Sequence, residues 1–505
     1  MKSSILSRLL CAALSGLLAL SALASCANGS DPGEQGGASS PSAADAVDAE
    51  PEETEKPYLD NLPETMDWDG YEVRFLTAEE THSVELDEDG TSGGTQLDAT
   101  IADAYWRRNE ALLSRMNAGM RLCEKTGYGN FSATATQSVT AGSDDYDVFV
   151  GHTRFNVALA ASGIVMKLNE NGFMDTIDIQ APYWSQLYIE NINYKDNIYW
   201  LSEDLTHNFI SIIYAMFVNN TVLNNFYPGE DVYGMVLEGG WTLDKMASLC
   251  EGVYQDLNGN SEVDKADAFG VVMQKGHTLN GMVFANGVTY TGIDDGGNYS
   301  VVLNNEHTVD VFNKLHNIYY NTNYALMLDN ADFDGTAVDM FTGDRLLFCP
   351  YTIGLAGNEK VRSMESDFMI IPLPKYDDQQ ETYRVNQYDG VPIYGCPTTL
   401  PADRIPMIAT WLEADCSMTS KIVIPAYYDL ALKNKYSRDA TTAQMIDMIH
   451  DSITADFCFY WGDSVGSLMD IFYNNIQNDE FASTLKKNEK VWAKTLKKLI
   501  DKLEG

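Results

Sequence analysis

Basic residues are scarce in this sequence. The chain of 505 residues has 33 Lys and Arg against 73 Asp and Glu, which gives a net charge of −40 at pH 7. Such a surface repels polyanions, so we expect no nucleic-acid partner. Histidine is also scarce, with 7 residues and no HExxH motif, and no GxxxxGK[ST] motif occurs. The sequence therefore gives no support to a zinc metalloprotease or a P-loop nucleotide-binding function.

The 8 cysteines are widely scattered, and none of them forms a CxxC or other zinc-binding spacing. Because unpaired Cys behaves as a small hydrophobic residue, we expect buried thiols at the positions that follow the first 26 residues. Those positions are Cys123, Cys250, Cys349, Cys396, Cys416 and Cys458. Disulfide pairing among six scattered cysteines stays open as the alternative.

Beyond the first 25 residues, no uncharged apolar run is long enough to predict a membrane span. At the N-terminus, Lys2 and Arg8 precede an apolar segment that ends in Leu23-Ala24-Ser25-Cys26. That segment is short for a span of about 20 residues, which favours a cleaved signal peptide over a membrane-spanning anchor. The last four residues resemble the lipobox of bacterial lipoproteins. The resemblance implies that residues 1–25 are removed, that Cys26 is lipidated, and that the protein is exported and anchored at the outer face of the cell membrane.

Residues 26–67 are rich in Gly, Ser, Pro and acidic side chains and have little apolar surface. Such a composition cannot offset the entropy of ordering a backbone, so we expect a disordered acidic tether. Residues 68–505 exceed the roughly 250–300 residues at which one hydrophobic core stops growing. The sequence therefore predicts a globular part with at least two lobes.

Strand-like and helix-like segments alternate along this globular part, which predicts an α/β architecture. Helices are predicted over residues 98–120 and 243–254, where apolar side chains recur at helical spacing. The predicted strands are residues 71–76, 146–151, 209–218, 269–273, 346–349 and 368–371.

Four motifs follow one another in a characteristic order. Tyr146-Asp147-Val148-Phe149 precedes the segment AASGIVMKL, and Phe217-Val218-Asn219-Asn220 precedes Gly240-Trp241-Thr242-Leu243-Asp244. Phe341-Thr342-Gly343-Asp344-Arg345 and Ile371-Pro372-Leu373-Pro374 come next. In order and spacing these segments resemble the family 1 extracellular solute-binding proteins of bacterial ABC transporters, especially the sugar-binding branch. Asp344 and Arg345 replace the alanines usual in the third motif, and Leu243 replaces a tryptophan of the second.

The resemblance implies a two-lobe α/β fold of the periplasmic-binding-protein-like class (type II), with a hinge and an interlobe cleft. The expected lobes are residues 68–178 plus 330–375, and residues 179–329 plus 376–505. The implied function is the capture of a solute, expected to be a mono- or oligosaccharide, and its delivery to the permease subunits of an ABC transporter. Such a protein is not an enzyme and needs no organic cofactor.

Aromatic side chains are the first candidates for a sugar site, because sugars present apolar C–H faces beside rings of hydroxyl groups. Tyr460-Trp461-Gly462-Asp463 is the strongest candidate because it follows a strand-like run, and α/β folds build clefts at strand ends. Packing in the core is the alternative for each aromatic. The candidate ligand-binding residues are Tyr183, Trp184, Asp204, Trp241, Asp389, Tyr460, Trp461 and Asp463.

The segment DLNGNSEVDKAD at residues 256–267 places oxygen-bearing side chains at the calcium-binding spacing of an EF-hand loop. Ser261 stands in the place of the usual turn glycine, and an Asp closes the loop in place of the usual Glu. The pattern predicts a structural calcium ion, with an acidic surface turn as the alternative. The predicted ligands are Asp256, Asn258, Asn260, Glu262 (through its carbonyl oxygen), Asp264 and Asp267.

Two alternatives to solute capture stay open. Gly462-Asp463-Ser464-Val465-Gly466 satisfies the GxSxG pattern of a nucleophile elbow, but His450 is the last histidine, whereas that fold places its His after the Ser. A surface-anchored glycoside hydrolase would instead need two carboxylates about 5–9 Å apart across a cleft. The other alternative is an adhesion or sensing module of the same fold.

An amphipathic helix is predicted at the C-terminus, with Leu485, Trp492, Leu496, Leu499 and Leu503 on one stripe and seven lysines around it. The stripe can lie on an anionic membrane or pack back on a lobe. We expect it to pack on a lobe, with the lysines in solvent.

Overall fold

A computed structural model of the protein describes residues 58–78, 91–92, 95–96, 99–202, 206–428, 432, 440–478 and 480–505. The predicted signal peptide, Cys26 and Asp204 lie outside the described residues. Residues Lys56–Gly505 form one compact unit. None of the helices in the described ranges is both long enough and apolar enough to cross a membrane.

Strands and helices alternate along the chain, as the sequence predicts. The strands are β1 (Tyr71–Ala78), β2 (Thr91–Ser92), β3 (Thr95–Gln96), β4 (Ala118–Thr126), β5 (Val148–His152), β6 (Tyr214–Asn219), β7 (Phe269–Gln274), β8 (Thr291–Ile293), β9 (Tyr299–Val301), β10 (Ala325–Leu328), β11 (Leu346–Thr352), β12 (Phe368–Ile371) and β13 (Pro392–Gly395).

The α-helices range from single turns to one of 24 residues. They are α1 (Ala99–Met116), α2 (Tyr128–Thr140), α3 (Thr153–Asn156), α4 (Gln186–Ile192), α5 (Asn208–Ser211), α6 (Asn220–Phe226), α7 (Val232–Leu237), α8 (Leu243–Cys250), α9 (His277–Ala285), α10 (Glu306–Tyr320), α11 (Asn330–Thr342), α12 (Glu359–Ser363), α13 (Ile405–Pro425), α14 (Ala440–Asp451), α15 (Phe457–Tyr460), α16 (Ile471–Asn475) and α17 (Phe481–Glu504). Short 3₁₀-helices occupy Val157–Ser162, Phe173–Asp175 and Ile353–Gly357.

The first sheet has the strand order β13-β5-β1-β4. Strand β1 runs parallel to β4 and β5, and β13 is antiparallel to β5. Successive side chains of a strand point to opposite faces. Val73 and Phe75 therefore join one hydrophobic cluster, while Leu76 and Ala78 join another. Helices α1 and α13 pack together over the first of these faces.

The second sheet has the order β10-β7-β11-β6-β12. Strand β7 is parallel to both β10 and β11, whereas β6 is antiparallel to β11 and β12. Every residue of β6 and of β7 is buried, as expected for central strands covered on both faces. The ends of the parallel strands β7 and β11 meet at one edge, where the candidate site lies.

The predicted division into lobes was wrong in two places. Strands β11 and β12 pair with β6, so residues 346–371 belong to the second sheet and not to the first. Strand β13 pairs with β5, and α13 packs on α1, so residues 392–425 complete the first lobe. Strand pairing depends on long-range partners, which hydrophobic patterns in the sequence do not identify.

The predicted tether was too long, because residues 58–67 belong to the folded unit. The Asp60 carboxylate accepts two hydrogen bonds from the Arg115 guanidinium, at 2.8 and 2.6 Å, and both side chains are buried. The Tyr58 ring lies 3.7 Å from the same guanidinium. The amide of Met66 donates to the carbonyl of Arg115. With the Tyr58 contact, these bonds place residues from Tyr58 onward in the folded part, ten residues before the predicted start at Trp68.

The six cysteines are free thiols, and five of them are buried. Cys123 is the exception to the prediction, because its strand, β4, lies at the edge of the first sheet with its side chains partly exposed.

Candidate functional site

A cavity of about 340 Å³ opens at the edge of the second sheet, beyond the ends of β7 and β11. In α/β proteins, ligands bind outside the carboxyl ends of parallel strands, so the position is that of a ligand site. The lining combines four aromatic rings with amides, hydroxyl groups, one imidazole and one carboxylate. The lining residues are Tyr214, Gln274, His277, Thr278, Asn330, Phe333, Asp334, Tyr351, Thr352 and Tyr388.

One wall of the cavity comes from the turn between β7 and α9. The Thr278 hydroxyl accepts a hydrogen bond of 2.8 Å from the Gln274 amide, which holds the first turn of α9 against the end of β7. Gly276 lies between them, and a Cβ there would come within 2.8 Å of the Asn330 side chain. The absence of a side chain at this glycine lets α9 and α11 approach closely enough to form a shared wall.

The aromatic rings of the cavity are fixed by contacts with one another and with polar groups. Phe333 stacks on Tyr351 with ring centroids 5.6 Å apart, and the Tyr351 hydroxyl donates to Asp334 at 2.7 Å. The ring of Tyr388 lies 4.5 Å from that of His277. Burial raises the pKa of both Tyr351 and Tyr214 well above the usual value of a phenol. Both phenols are therefore neutral hydrogen-bonding groups at physiological pH.

Behind His277, Asp389 is buried with 3% of its side chain exposed. The His277 Nδ1 atom lies 3.7 Å from Asp389 Oδ1, and that oxygen has no hydrogen-bond partner among the described residues. Burial by itself raises the pKa of Asp389, but attraction to the Arg154 guanidinium and to the cationic forms of His277 and His152 outweighs burial and holds that pKa below its usual value. Burial lowers the pKa of His152 to about 4, so this neighbour is neutral at pH 7. An ionised acceptor thus sits directly behind the cavity wall.

Arg154 joins Asp389 to two further carboxylates. Its guanidinium lies 3.3 Å from Asp389, 3.4 Å from Asp463 and 2.6 Å from Asp470. Arg154 belongs to α3, which directly follows β5 of the first lobe. Asp470 lies immediately before α16, which packs on α9 beside the cavity. One cation therefore ties the first lobe to the segment that supports the cavity.

Of the predicted acidic site residues, Asp389 and Asp463 come together on Arg154, whereas the predicted aromatic platforms lie in the core. The hydroxyl of Tyr183 and the indole N–H of Trp184 donate to Glu413 at 2.6 and 2.9 Å, and both rings are buried. Because a solute cannot reach rings that are almost wholly covered, the structure gives both a packing role.

Trp241, Tyr460 and Trp461 are also buried. The Trp241 indole donates to the Pro372 carbonyl at 2.9 Å, and the Trp461 indole to the Ile192 carbonyl at 3.2 Å. The expected strand end before Trp461 was wrong, because Phe457–Tyr460 is a turn of α-helix. The segment before Ser464 is therefore not the strand that a nucleophile elbow requires.

None of the five ring-bearing residues of the cavity was predicted from the sequence; they are Tyr214, His277, Phe333, Tyr351 and Tyr388. A usable signal was present for His277, since the predicted strand at residues 269–273 is followed by Gln274-Lys275-Gly276-His277-Thr278, a polar turn with a glycine.

The predicted calcium loop is an exposed turn organised by its own side chains. The Asp256 carboxylate accepts from the amides of Gly259 and Ser261, at 2.7 and 2.8 Å. Ser261 has a φ of 63°, the left-handed conformation that glycine usually supplies at this loop position.

Two further carboxylates of the loop, those of Asp264 and Asp267, accept hydrogen bonds from neighbouring groups. Asn258 and Asn260 donate to Asp264, and the buried Asp267 accepts from two backbone amides and from the hydroxyl of Tyr254. Within the described ranges, no group of three or more His, Cys, Asp or Glu side chains is gathered as a metal site. The oxygen donors suit calcium in kind, and calcium binding stays a prediction.

Among the comparisons with known proteins, only the one with solved structures finds similar proteins, and it bears on the fold. No family profile matches the chain, and no curated protein matches it. Among solved structures, UgpB of Mycobacterium tuberculosis, in complex with glycerophosphocholine, has a TM-score of 0.53 at 13% identity and covers 86% of this chain and 98% of its own.

Two further structures are similar over the same part of the chain. The GacH receptor of Streptomyces glaucescens has a TM-score of 0.51 at 11% identity, covering 87% of this chain and 99% of its own. A family 1 extracellular solute-binding protein of Bifidobacterium longum subsp. infantis has a TM-score of 0.51 at 12% identity, covering 86% and 100%. The fold is thus the two-lobe α/β fold of the solute-binding proteins, as the sequence predicted.

Proposed function

We propose that this protein is an exported solute-binding protein that captures a short, uncharged sugar or polyol and delivers it to an ABC importer. The observation that carries the proposal is the cavity at the ends of β7 and β11, lined by aromatic rings and hydrogen-bonding groups and backed by the cluster of Arg154 and Asp389.

The chemistry of the lining favours a sugar. The faces of Tyr351 and Tyr388 can stack on the C–H faces of a pyranose, and Gln274, Asn330 and Asp334 offer donors and acceptors to its hydroxyl groups. No lysine or arginine is among the residues that line the cavity, which disfavours anionic solutes. The volume lies near the lower end of the roughly 300–1,000 Å³ of typical ligand sites, so a mono- or disaccharide is favoured over a long chain.

The position of Arg154 suggests how binding would be coupled to closure. Arg154 reaches from the first lobe to Asp463 and Asp470, which follow α15 in the segment beside the cavity. A solute that contacts both lobes stabilises the closed arrangement by the contacts that exist only there. The importer would then recognise that arrangement.

The relatives in structure bear on the solute class and on the location. UgpB is described with glycerophosphocholine and the GacH receptor with acarbose, so this fold accommodates small polar solutes, an oligosaccharide analogue among them. Together with the sequence of residues 1–26, this supports export, lipidation of Cys26, and attachment to the outer face of the membrane beside permease subunits. Calcium in the 256–267 loop would serve as a structural clip, outside the solute site.

Thermal unfolding of the chain with a panel of mono- and disaccharides, polyols and short peptides tests the proposal. A solute at 100 times its Kd adds about 2.7 kcal/mol to the free energy of unfolding. At about 2.1 cal/mol/K of unfolding entropy per residue, a folded unit of this size gains about 3 °C in Tm. A saturable shift for one sugar class, without product formation, is expected.

The variants Tyr388→Ala and Tyr376→Ala locate the binding. Both tyrosines are partly exposed, but only Tyr388 lines the cavity. We expect Tyr388→Ala to weaken solute binding at least about 10-fold, or about 1.4 kcal/mol, and Tyr376→Ala to leave the Kd unchanged. Equal losses in both variants would contradict the site, consumption of the sugar would identify a glycoside hydrolase, and binding without a transporter partner would favour a sensing module.

A further inference from the structure

The C-terminal helix α17 has two faces of opposite character. Its buried residues are Phe481, Leu485, Trp492, Leu496, Leu499 and Leu503. They pack against α10, β9 and the 3₁₀-helix Val157–Ser162, and the Tyr199 hydroxyl donates to the carbonyl of Leu503. The apolar stripe is therefore buried against the rest of the fold, as expected, and is not free to enter a membrane.

The opposite face carries seven lysines, all of them exposed. They are Lys486, Lys487, Lys490, Lys494, Lys497, Lys498 and Lys502. At about 100° per residue they fall within an arc of about 160°, centred opposite the buried stripe. From Lys486 to Lys502 the row extends about 24 Å along the helix axis, at about 1.5 Å per residue. We refer to these seven residues as the lysine face.

The lysine face is a local reversal of charge. Helix α17 contains 7 Lys and 3 acidic residues, Glu489, Asp501 and Glu504, a net charge of +4, on a chain whose net charge is −40. Lys497 pairs with Asp501 at 3.0 Å. The other six lysines form no ion pair with any acidic residue in the described parts of the chain. Their charge is therefore directed outward, available to an external partner.

We propose that the lysine face docks on an anionic lipid surface and sets the orientation of the protein on the membrane. A row of lysines suits a diffuse negative surface, because Lys is a compact, strongly hydrated charge on a flexible stem and needs no bidentate geometry. Interfaces with proteins are depleted in Lys and enriched in aromatic anchors. On α17 the one large apolar side chain that is well exposed is Val491.

The acidic remainder of the protein does not prevent this contact. The Debye length is about 8 Å at physiological ionic strength, so charges on the far side of the molecule are screened from the membrane. The acidic charges favour one orientation instead, because the acidic surfaces of the protein are repelled from the lipids that attract the lysine face. The contact is expected at low salt and lost by about 0.5 M NaCl, where screening shortens to a few ångströms.

Co-flotation with lipid vesicles tests the proposal. The full chain is mixed with vesicles of phosphatidylcholine alone or with 30% phosphatidylglycerol, so that any contribution of the N-terminal segment is measured on the neutral vesicles. The test variant is Lys490→Glu/Lys494→Glu/Lys498→Glu, three exposed lysines one helical turn apart. The control, Lys195→Glu/Lys265→Glu/Lys360→Glu, reverses three exposed lysines elsewhere, so both variants change the net charge equally.

We expect stronger partitioning to the anionic vesicles for the wild type and the control, and at least about a 100-fold lower partition coefficient for the α17 variant, from roughly 5-fold per lysine. The proposal is overturned if the wild type prefers neither vesicle. That result would favour an acidic protein as the partner of the lysine face. The proposal is equally overturned if both triple variants lose binding to the same extent, because the effect would then be one of net charge alone. Unchanged thermal unfolding of the α17 variant shows that the helix stays packed.

Discussion

Replacement of Arg154 with methionine examines the ion-pair cluster behind the cavity. Methionine keeps much of the side-chain volume but removes the guanidinium that pairs with the buried Asp389. Removing one partner of a buried ion pair costs about 3–5 kcal/mol. Because 17% of the Arg154 side chain is exposed, we expect the lower end, about 3 kcal/mol. For a folded unit of this size the loss corresponds to about 3 °C in Tm.

The pH dependence gives the sharper result. In the wild type, the pKa of Asp389 is held below its usual value, so this group contributes stability above its unfolded-state pKa and loses it as the pH falls. In Arg154→Met, the guanidinium no longer counteracts burial, so the pKa of Asp389 rises. Acidification then protonates Asp389 and removes the buried charge. The difference in Tm between wild type and variant should therefore shrink from pH 7.5 to pH 5.

Thermal unfolding at the two pH values, with two companion variants, completes the test. Arg154→Met/Asp389→Asn should recover most of the lost Tm, because no buried charge remains. Arg107→Met removes an exposed pair with Asp103 and should change the Tm by well under 1 °C. The reasoning fails if Arg154→Met lowers the Tm equally at both pH values, or if the double variant is no more stable than the single one. Either result would mean that the buried charge of Asp389 does not cause the loss of stability.

Three other predictions concern stability. Asp60→Ala should lower the free energy of unfolding by about 3–5 kcal/mol in denaturant titrations, because Arg115 would be left buried and unpaired; a loss below 1 kcal/mol would contradict this role. Calcium at 1 mM should raise the Tm of the wild type but not that of Asp256→Asn, and an equal response in both would place the ion elsewhere. Gly270→Ala should cost about 1–3 kcal/mol by calorimetry, because a Cβ there would lie 2.3 Å from that of Cys250, whereas Gly129→Ala meets open space and should cost nothing.

The sequence predicted strands well where they are buried on both faces. Strands β7, β11 and β12 carry continuous apolar runs, and their predicted positions were confirmed. Strand β4 was missed because, at the sheet edge, its residues AGMRLCEKT show no regular alternation. Its first residues were included in the predicted helix at residues 98–120, which ends at Met116 in the structure.

The candidate site was harder to predict, for a physical reason. Trp184, Trp241 and Trp461 are large enough to serve either as platforms or as core, and sequence does not tell which face of an element is covered. The apolar run FCFYW fits a short strand as well as a turn of helix, and the structure makes Phe457–Tyr460 a helix. Asp389 was predicted only as one of three acidic candidates for a sugar site, and the structure places it behind His277 of the cavity wall.

The interleaving of the two sheets has a consequence for the order in which the chain can fold. All strands of the second sheet lie between residues 214 and 371, so that sheet can form as soon as this stretch is present. The first sheet begins at Tyr71 but gains its last strand and the covering helix α13 only from residues 392–425. The portion of the chain that emerges first therefore waits for one that emerges hundreds of residues later. Closing such a distant pairing is slow, so during synthesis the first lobe should be the last to mature and the one exposed longest to proteases and chaperones.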